Sequence, residues 1–295
     1  MVGVFFGGHA GPTCASGEVT RRAFATLPFT ARLTLGERLS QRRPDLLVKP
    51  IFNSPPGETQ YPAWLAGTWD ATQVFDGFVF PSPTIPRDRI MREPTVPGLQ
   101  RLSVVSVPDM GKATCRFSLR FSPAGGRCVE DKRFNLASAV DGSLEARVVQ
   151  RVEYDAARNP NRCSIVFRPG KERNAERVEL FFNSRESDDS RVADGIFVTS
   201  EHLRQVTFGG SAVEGVVRQV SGSYGFFSTF TRLADGNVRR NLLTAAYLEP
   251  TEQEALFFQA VDQPVLVFSH EALLVPAQSQ TESTESGPRL LGGQA

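Results

Sequence analysis

Near neutral pH the chain offers only three histidines for proton transfer or metal binding: His9, His202 and His270. Histidine is the side chain whose ordinary pKa lies closest to physiological pH, and it is the commonest metal ligand. His270 is followed by Glu271, a pairing that could work as acid and base, or His270 could be an axial haem ligand. Both lie in an alternating run, and neighbours on a strand point to opposite faces, which argues against a dyad. His202 follows Glu201 between two apolar runs and reads as turn surface, while His9 sits in a region without apolar periodicity. The four cysteines, Cys14, Cys115, Cys128 and Cys163, have neither CxxC spacing nor a paired His, so no zinc site is expected. Cys115 and Cys163 each open an alternating apolar row and read as buried free thiols, with one Cys115–Cys163 bridge as the alternative in an oxidising lumen. The acids Glu186, Asp188 and Asp189 lack the ligand spacing and fixed glycine of a calcium loop and read as a solvated loop. There is no GxSxG, no P-loop and no dinucleotide fingerprint. No catalytic residue, metal or cofactor is therefore expected.

Charge narrows the partners. With 33 basic and 32 acidic side chains the formal net charge is +1, which gives no global field to attract nucleic acid. Four of the basic residues are Lys (Lys49, Lys112, Lys132, Lys171) and the rest Arg, without the stacking aromatics of a nucleic-acid surface. No stretch reaches about 18 consecutive apolar residues, so no transmembrane segment is expected and any membrane attachment is peripheral.

The elements that must position any site follow from the pattern. At 295 residues the length fits one all-β domain with tails, and 22 Phe against 2 Trp and 4 Tyr point to a Phe-rich interior, either packed or lining a cavity. Residues 1–60 read as a targeting and linker region with nothing to pack, 61–277 as the folded domain, and 278–295 as a disordered polar tail. Within the first region, Thr20–Ala31 resembles a twin-arginine signal, with other targeting or plain disorder as the alternatives.

Strand one is expected over Gly67–Phe80, followed by a proline-rich excursion, Pro81–Pro97, that serves as a surface loop or a lid. Cys115, Phe117, Leu119 and Phe121 alternate with polar residues. Phe134–Val140 is expected as a strand ending in an Asp141-Gly142 hairpin, and Leu144–Tyr154, Cys163–Phe167 and Val178–Phe182 follow. Later strands are expected at Ile196–Ser200, Leu203–Phe208, Val216–Val220, Tyr224–Leu233 and Val238–Leu248, with a last hairpin from Ala255–Ala260 and Val265–His270. That makes about ten strands and no convincing amphipathic helix, the pattern of an antiparallel barrel or sandwich.

The stretch Tyr61-Pro-Ala-Trp-Leu-Ala-Gly-Thr-Trp69 carries the G-x-W triplet of lipocalins and the wider calycin group. With the paired Arg21 and Arg22 upstream it resembles an uncharacterised lipocalin-like family of cyanobacteria, algae and plant chloroplasts. The resemblance implies a single antiparallel lipocalin-like β-barrel over roughly residues 55–277, and a chloroplast location, with the thylakoid lumen as the finer placement.

Three functions are then expected in order. The first is a barrel that binds an apolar small molecule (a pigment, lipid or quinone), with Trp69 at its base and Phe117, Leu119, Phe121, Phe182, Phe226 and Phe230 lining the cavity. The second is an assembly partner of a photosynthetic membrane complex whose barrel is filled by the same side chains. The third is a barrel isomerase or chromophore lyase. Cavity volume separates the first two: roughly a few hundred Å³ favours the carrier, a packed interior the partner.

Overall fold

Period-two alternation runs through most of the chain beyond Tyr61, and in the computed structural model it becomes one antiparallel sheet. The structure describes residues 33–50, 57–93, 95–98, 114–172, 175–209 and 218–277. In chain order the elements are α1 (Leu35–Ser40), β1 (Tyr61–Pro62), β2 (Gly67–Val79), α2 (Arg87–Met91), β3 (Thr114–Ala124), β4 (Arg127–Glu130), α3 (Lys132–Leu144), β5 (Val149–Asp155), β6 (Asn159–Phe167), β7 (Arg177–Asp188), β8 (Ile196–Gly209), β9 (Arg218–Arg232), β10 (Val238–Tyr247), α4 (Glu254–Phe257) and β11 (Pro264–Pro276). The eleven strands lie in the order β1-β4-β3-β2-β11-β10-β9-β8-β7-β6-β5. The sheet curls strongly. Phe121 on β3 and Phe230 on β9 are four strands apart in that order, yet their ring centroids lie 6.3 Å from each other.

The expected barrel is therefore a half-barrel: its end strands, β1 and β5, do not pair with each other among the described residues. Helix α3 lies in the gap, packed on both β3 and β5. This segment is the largest departure from the expected secondary structure, since Phe134–Val140 and Asp141-Gly142 form helix rather than a hairpin. Asp131 caps the helix by accepting from the Phe134 amide, and Glu145 ends it in the left-handed region at φ 52°. The Asp141 carboxylate accepts the amides of Val148 and Val149, both at 2.9 Å, which starts the next strand. Gly142 is needed for contact rather than for a turn: a Cβ there would stand 2.3 Å from the Arg116 carbonyl oxygen. Along β3, where no strand pairs, α3 side chains replace the ladder. Asn135 accepts the Arg120 amide at 2.6 Å and donates to its carbonyl at 3.2 Å, and Ser138 accepts the Ser118 amide at 2.8 Å.

Other expectations change in smaller ways. Ile196–Ser200 and Leu203–Phe208 are one continuous strand, β8, with Glu201 and His202 at its middle rather than in a turn. The described part of Val216–Val220, from Arg218, likewise runs on through Gly222 into one strand, β9, and Val216 and Val217 lie outside the described residues. Ala255–Ala260 is not a strand, so β11 pairs with β10 and β2 and has no hairpin mate of its own. The proline-rich excursion contains the short helix α2, and its Ile85, Ile90 and Val96 are buried against Leu248, Leu256 and Val265. Residues 33–50 do find something to pack against: Leu35 and Leu47 are buried, and the Tyr247 hydroxyl donates to the Leu47 carbonyl at 2.7 Å. Asp188, expected in a solvated loop, accepts the Gly36 amide at 2.9 Å and so anchors α1 to the end of β7. Residues 1–32 and 278–295 are outside the described residues, and so are the targeting segment and polar tail expected there.

Candidate functional site

The inner face of the sheet encloses a cavity of about 110 Å³. Phe117, Leu119 and Phe121 from β3, Phe182 from β7, and Phe226 and Phe230 from β9 border it. Trp69, expected at the base, does not border it. It is buried in the cluster that also contains Leu119, Phe121 and Phe230, and its indole N–H donates to the Leu65 carbonyl at 2.8 Å, as a buried Trp requires.

Charged groups are set among these apolar side chains. Glu130 at the end of β4, Lys132 at the start of α3, Glu201 in mid β8 and Arg240 near the start of β10 all reach it. Lys132 Nζ lies 3.0 Å from Glu130 and 3.2 Å from Glu201, and Arg185 Nε lies 2.5 Å from Glu201. A β-bulge between Phe182 and Ser184 shifts the register of β7 so that Arg185 pairs across to Glu201. Both cations also lie over the Phe182 ring, Lys132 at 4.7 Å and Arg185 at 4.6 Å. Burial alone would push the Glu201 carboxyl up and the Lys132 ammonium down. Their mutual attraction wins, so Glu201 is held below the ordinary carboxylate range and Lys132 above the ordinary amine range.

Arg240 differs from the other two cations. Its Nε and Nη2 donate to the Ser228 hydroxyl at 3.1 and 3.0 Å, and no carboxylate forms an ion pair with it among the described residues. Burial pulls its pKa down, partly offset by Tyr61, Glu130 and Glu201.

The histidines are not where the sequence suggested. His202 is buried, with Nδ1 3.3 Å from the Ser184 hydroxyl and Nε2 3.4 Å from the Tyr247 hydroxyl, and burial brings its pKa down to about 4. His270 is buried on the inner face while Glu271 is exposed on the outer, so the two form no dyad. Neither ring nitrogen of His270 has a hydrogen-bond partner among the described residues, and burial, aided by Arg240, brings its pKa to about 4. Cys115, Cys128 and Cys163 are buried and form no disulfide among the described residues, and burial pushes the Cys163 thiol up to about 12. No group of three or more potential metal ligands occurs among the described residues.

Sequence reasoning named the apolar side chains at the cavity and none of the charged ones. A signal for Arg240 was present: in the row Val238, Arg240, Leu242, Thr244, Ala246 it is the one charged member. Nothing comparable marked Lys132 or Glu130, whose inward placement depends on α3 being a helix.

The fold and cavity thus define an open, mostly β half-barrel with a small interior whose apolar walls carry a few charged groups. A family model described as a domain of unknown function, DUF6816, matches residues 53–275, and the chain belongs to that family. No curated protein and no solved structure matches it.

Proposed function

We propose that the half-barrel binds a compact, largely apolar small molecule in its interior. The observation that carries this reading is the cavity of about 110 Å³, whose mainly Phe and Leu walls are interleaved with a few fixed charges. Apolar walls supply affinity, and a few polar groups set orientation. Sites for drug-sized ligands run to about 300–1,000 Å³. In this conformation the cavity therefore takes a single ring or short chain, or the end of a larger pigment, lipid or quinone. Mass spectrometry of small molecules extracted from protein purified from its own source tests this, alongside a toluene titration followed by the thermal midpoint. A reproducible bound species or a saturable rise in midpoint supports binding; a clean extract with no saturable rise refutes it.

A second reading, an assembly partner for a photosynthetic membrane complex, is favoured by the modest cavity and by a patch on the outer face. There Val74, Val79, Leu273 and Val275 on β2 and β11 are exposed. No helix among the described residues is long and apolar enough to cross a membrane. The chloroplast location, thylakoid lumen included, belongs to the same proposal and is supported by the Tyr61–Trp69 stretch and the arginines upstream. Fractionation of chloroplasts with an antibody to residues 61–277 tests it, and exclusive recovery outside plastids overturns it.

A further inference from the structure

The two cations that line the cavity are not equally paired. Lys132 and Arg240 share the lining with Glu130 and Glu201, and Lys132 contacts both carboxylates, with Arg185 outside the lining also on Glu201. Arg240 has no carboxylate among the described residues, and its two hydrogen bonds both go to the Ser228 hydroxyl. A guanidinium has five N–H donors in a planar fork matched to a carboxylate, so those two bonds leave donors on Nη1 and Nη2 unused. A cation partly withdrawn from water is normally paired, because desolvation without a counter-charge is unfavourable.

We propose that Arg240 is the seat for the carboxylate of a compact monocarboxylic acid whose apolar body lies against the Phe117, Phe121, Phe226 and Phe230 side of the cavity. The inference rests on the reading of the interior as a ligand site and adds the ligand's chemical class. A carboxylate matches the planar fork of Arg240 with one negative charge, whereas a phosphate dianion would bring two beside Glu130 and Glu201. Size is set by the volume: an apolar cavity of about 150 Å³ admits benzene. The cavity here, about 110 Å³, is smaller and suits a short branched chain or a ring that enters only in part. The ring of Phe230, 5.6 Å from the Arg240 guanidinium carbon, supports the cation from the apolar side.

The test uses the full chain and two fluorine-labelled probes of equal size, 4-fluorobenzoate and neutral 4-fluorobenzyl alcohol, titrated by ¹⁹F NMR. Wild type is expected to bind the carboxylate at least about tenfold more tightly than the alcohol, the difference that about 1.4 kcal/mol produces. Arg240→Gln abolishes that preference and leaves alcohol binding within about twofold, while Arg240→Lys, which keeps the charge but not the fork, retains part of it. Near-UV circular dichroism checks folding of each variant, and if Arg240→Gln does not fold, Arg240→Lys and Ser228→Ala carry the comparison. Equal binding of both probes to wild type, unchanged in the variants, overturns the carboxylate seat and leaves the ligand site standing. Binding of neither probe at millimolar concentration overturns the seat and the ligand site beneath it.

Discussion

Replacing Glu201 by Gln keeps the volume of the side chain and removes the charge between two buried cations. In the folded protein Lys132 would retain Glu130 at 3.0 Å, and Arg185 would retain the carbonyls of Gly57 and Pro160 at 3.1 and 2.9 Å. Both lose Glu201, at 3.2 Å from Lys132 and 2.5 Å from Arg185. Removing one member of a buried ion pair costs about 3–5 kcal/mol, and the remaining partners place this variant near the low end, about 3 kcal/mol. For a domain of this size each kcal/mol shifts the thermal midpoint by about 2–4 °C, so a fall of about 6–12 °C is expected. The cost also depends on pH with a definite sign. Glu201 has a depressed folded-state pKa, so its contribution is complete above the unfolded value of about 4.3 and is lost as pH falls through the folded value. Urea denaturation of wild type and Glu201→Gln across this range should show a gap that is full at pH 7 and closes in acid. Adding Lys132→Met to Glu201→Gln should cost less than the sum of the single changes, because the second removes a charge the first left underpaired. A variant within about 1 kcal/mol of wild type at neutral pH, or a gap that widens in acid, would refute the account of the charged cluster.

Trp69→Ala should cost about 3–5 kcal/mol in chemical denaturation, because it empties an aromatic core site and strips the Leu65 carbonyl of its donor. Trp64→Ala, at a half-buried site, should cost less. Phe117→Ala enlarges an existing space at a half-buried wall residue, so its cost should fall near or below about 3 kcal/mol while toluene binding strengthens; full cost without binding would favour a filled barrel. Gly142→Ala should destabilise by about 1–3 kcal/mol despite alanine's better helix propensity, since its Cβ meets the Arg116 carbonyl; a more stable variant in thermal melts would show that α3 can shift away from β3. His202 and His270 have folded pKa values of about 4, below the unfolded value of about 6.5. Stability should therefore fall as pH drops from about 6.5 toward 4, and His202→Asn should flatten that slope in denaturation series.

The sheet was legible because its signal is local. The row Cys115, Phe117, Leu119, Phe121 states which way each side chain points, and that row forms the cavity wall. What escaped depended on long-range partners. Lys132–Leu144 has almost no helical amphipathicity to read, because Asn135 and Ser138 face the β3 backbone where an ordinary core helix would place apolar residues. Asp141-Gly142 carries the composition of a hairpin turn, but here the Asp caps the following strand and the Gly permits close approach. Glu201-His202 looked like a break between strands because two consecutive polar residues rarely go inside. They do so here because the inner face supplies Lys132 and Arg185 to one, and the outer face, under the α1 segment, buries the other.

Helix α3 also changes what sets the girth of the half-barrel. In a closed β-barrel the number of strands and the stagger of their hydrogen bonds fix the diameter, so the bore cannot alter without breaking a ladder. Here one stave is a helix tied to its neighbour by side chains, Asn135 and Ser138 on the β3 backbone, and to β5 by the Arg133 guanidinium on the Tyr154 carbonyl at 2.7 Å. Side chains re-form such bonds after a change of rotamer. The bore is thus governed by the reach of three residues rather than by a fixed register, and changing the length of any one of them resizes the interior without redrawing the sheet.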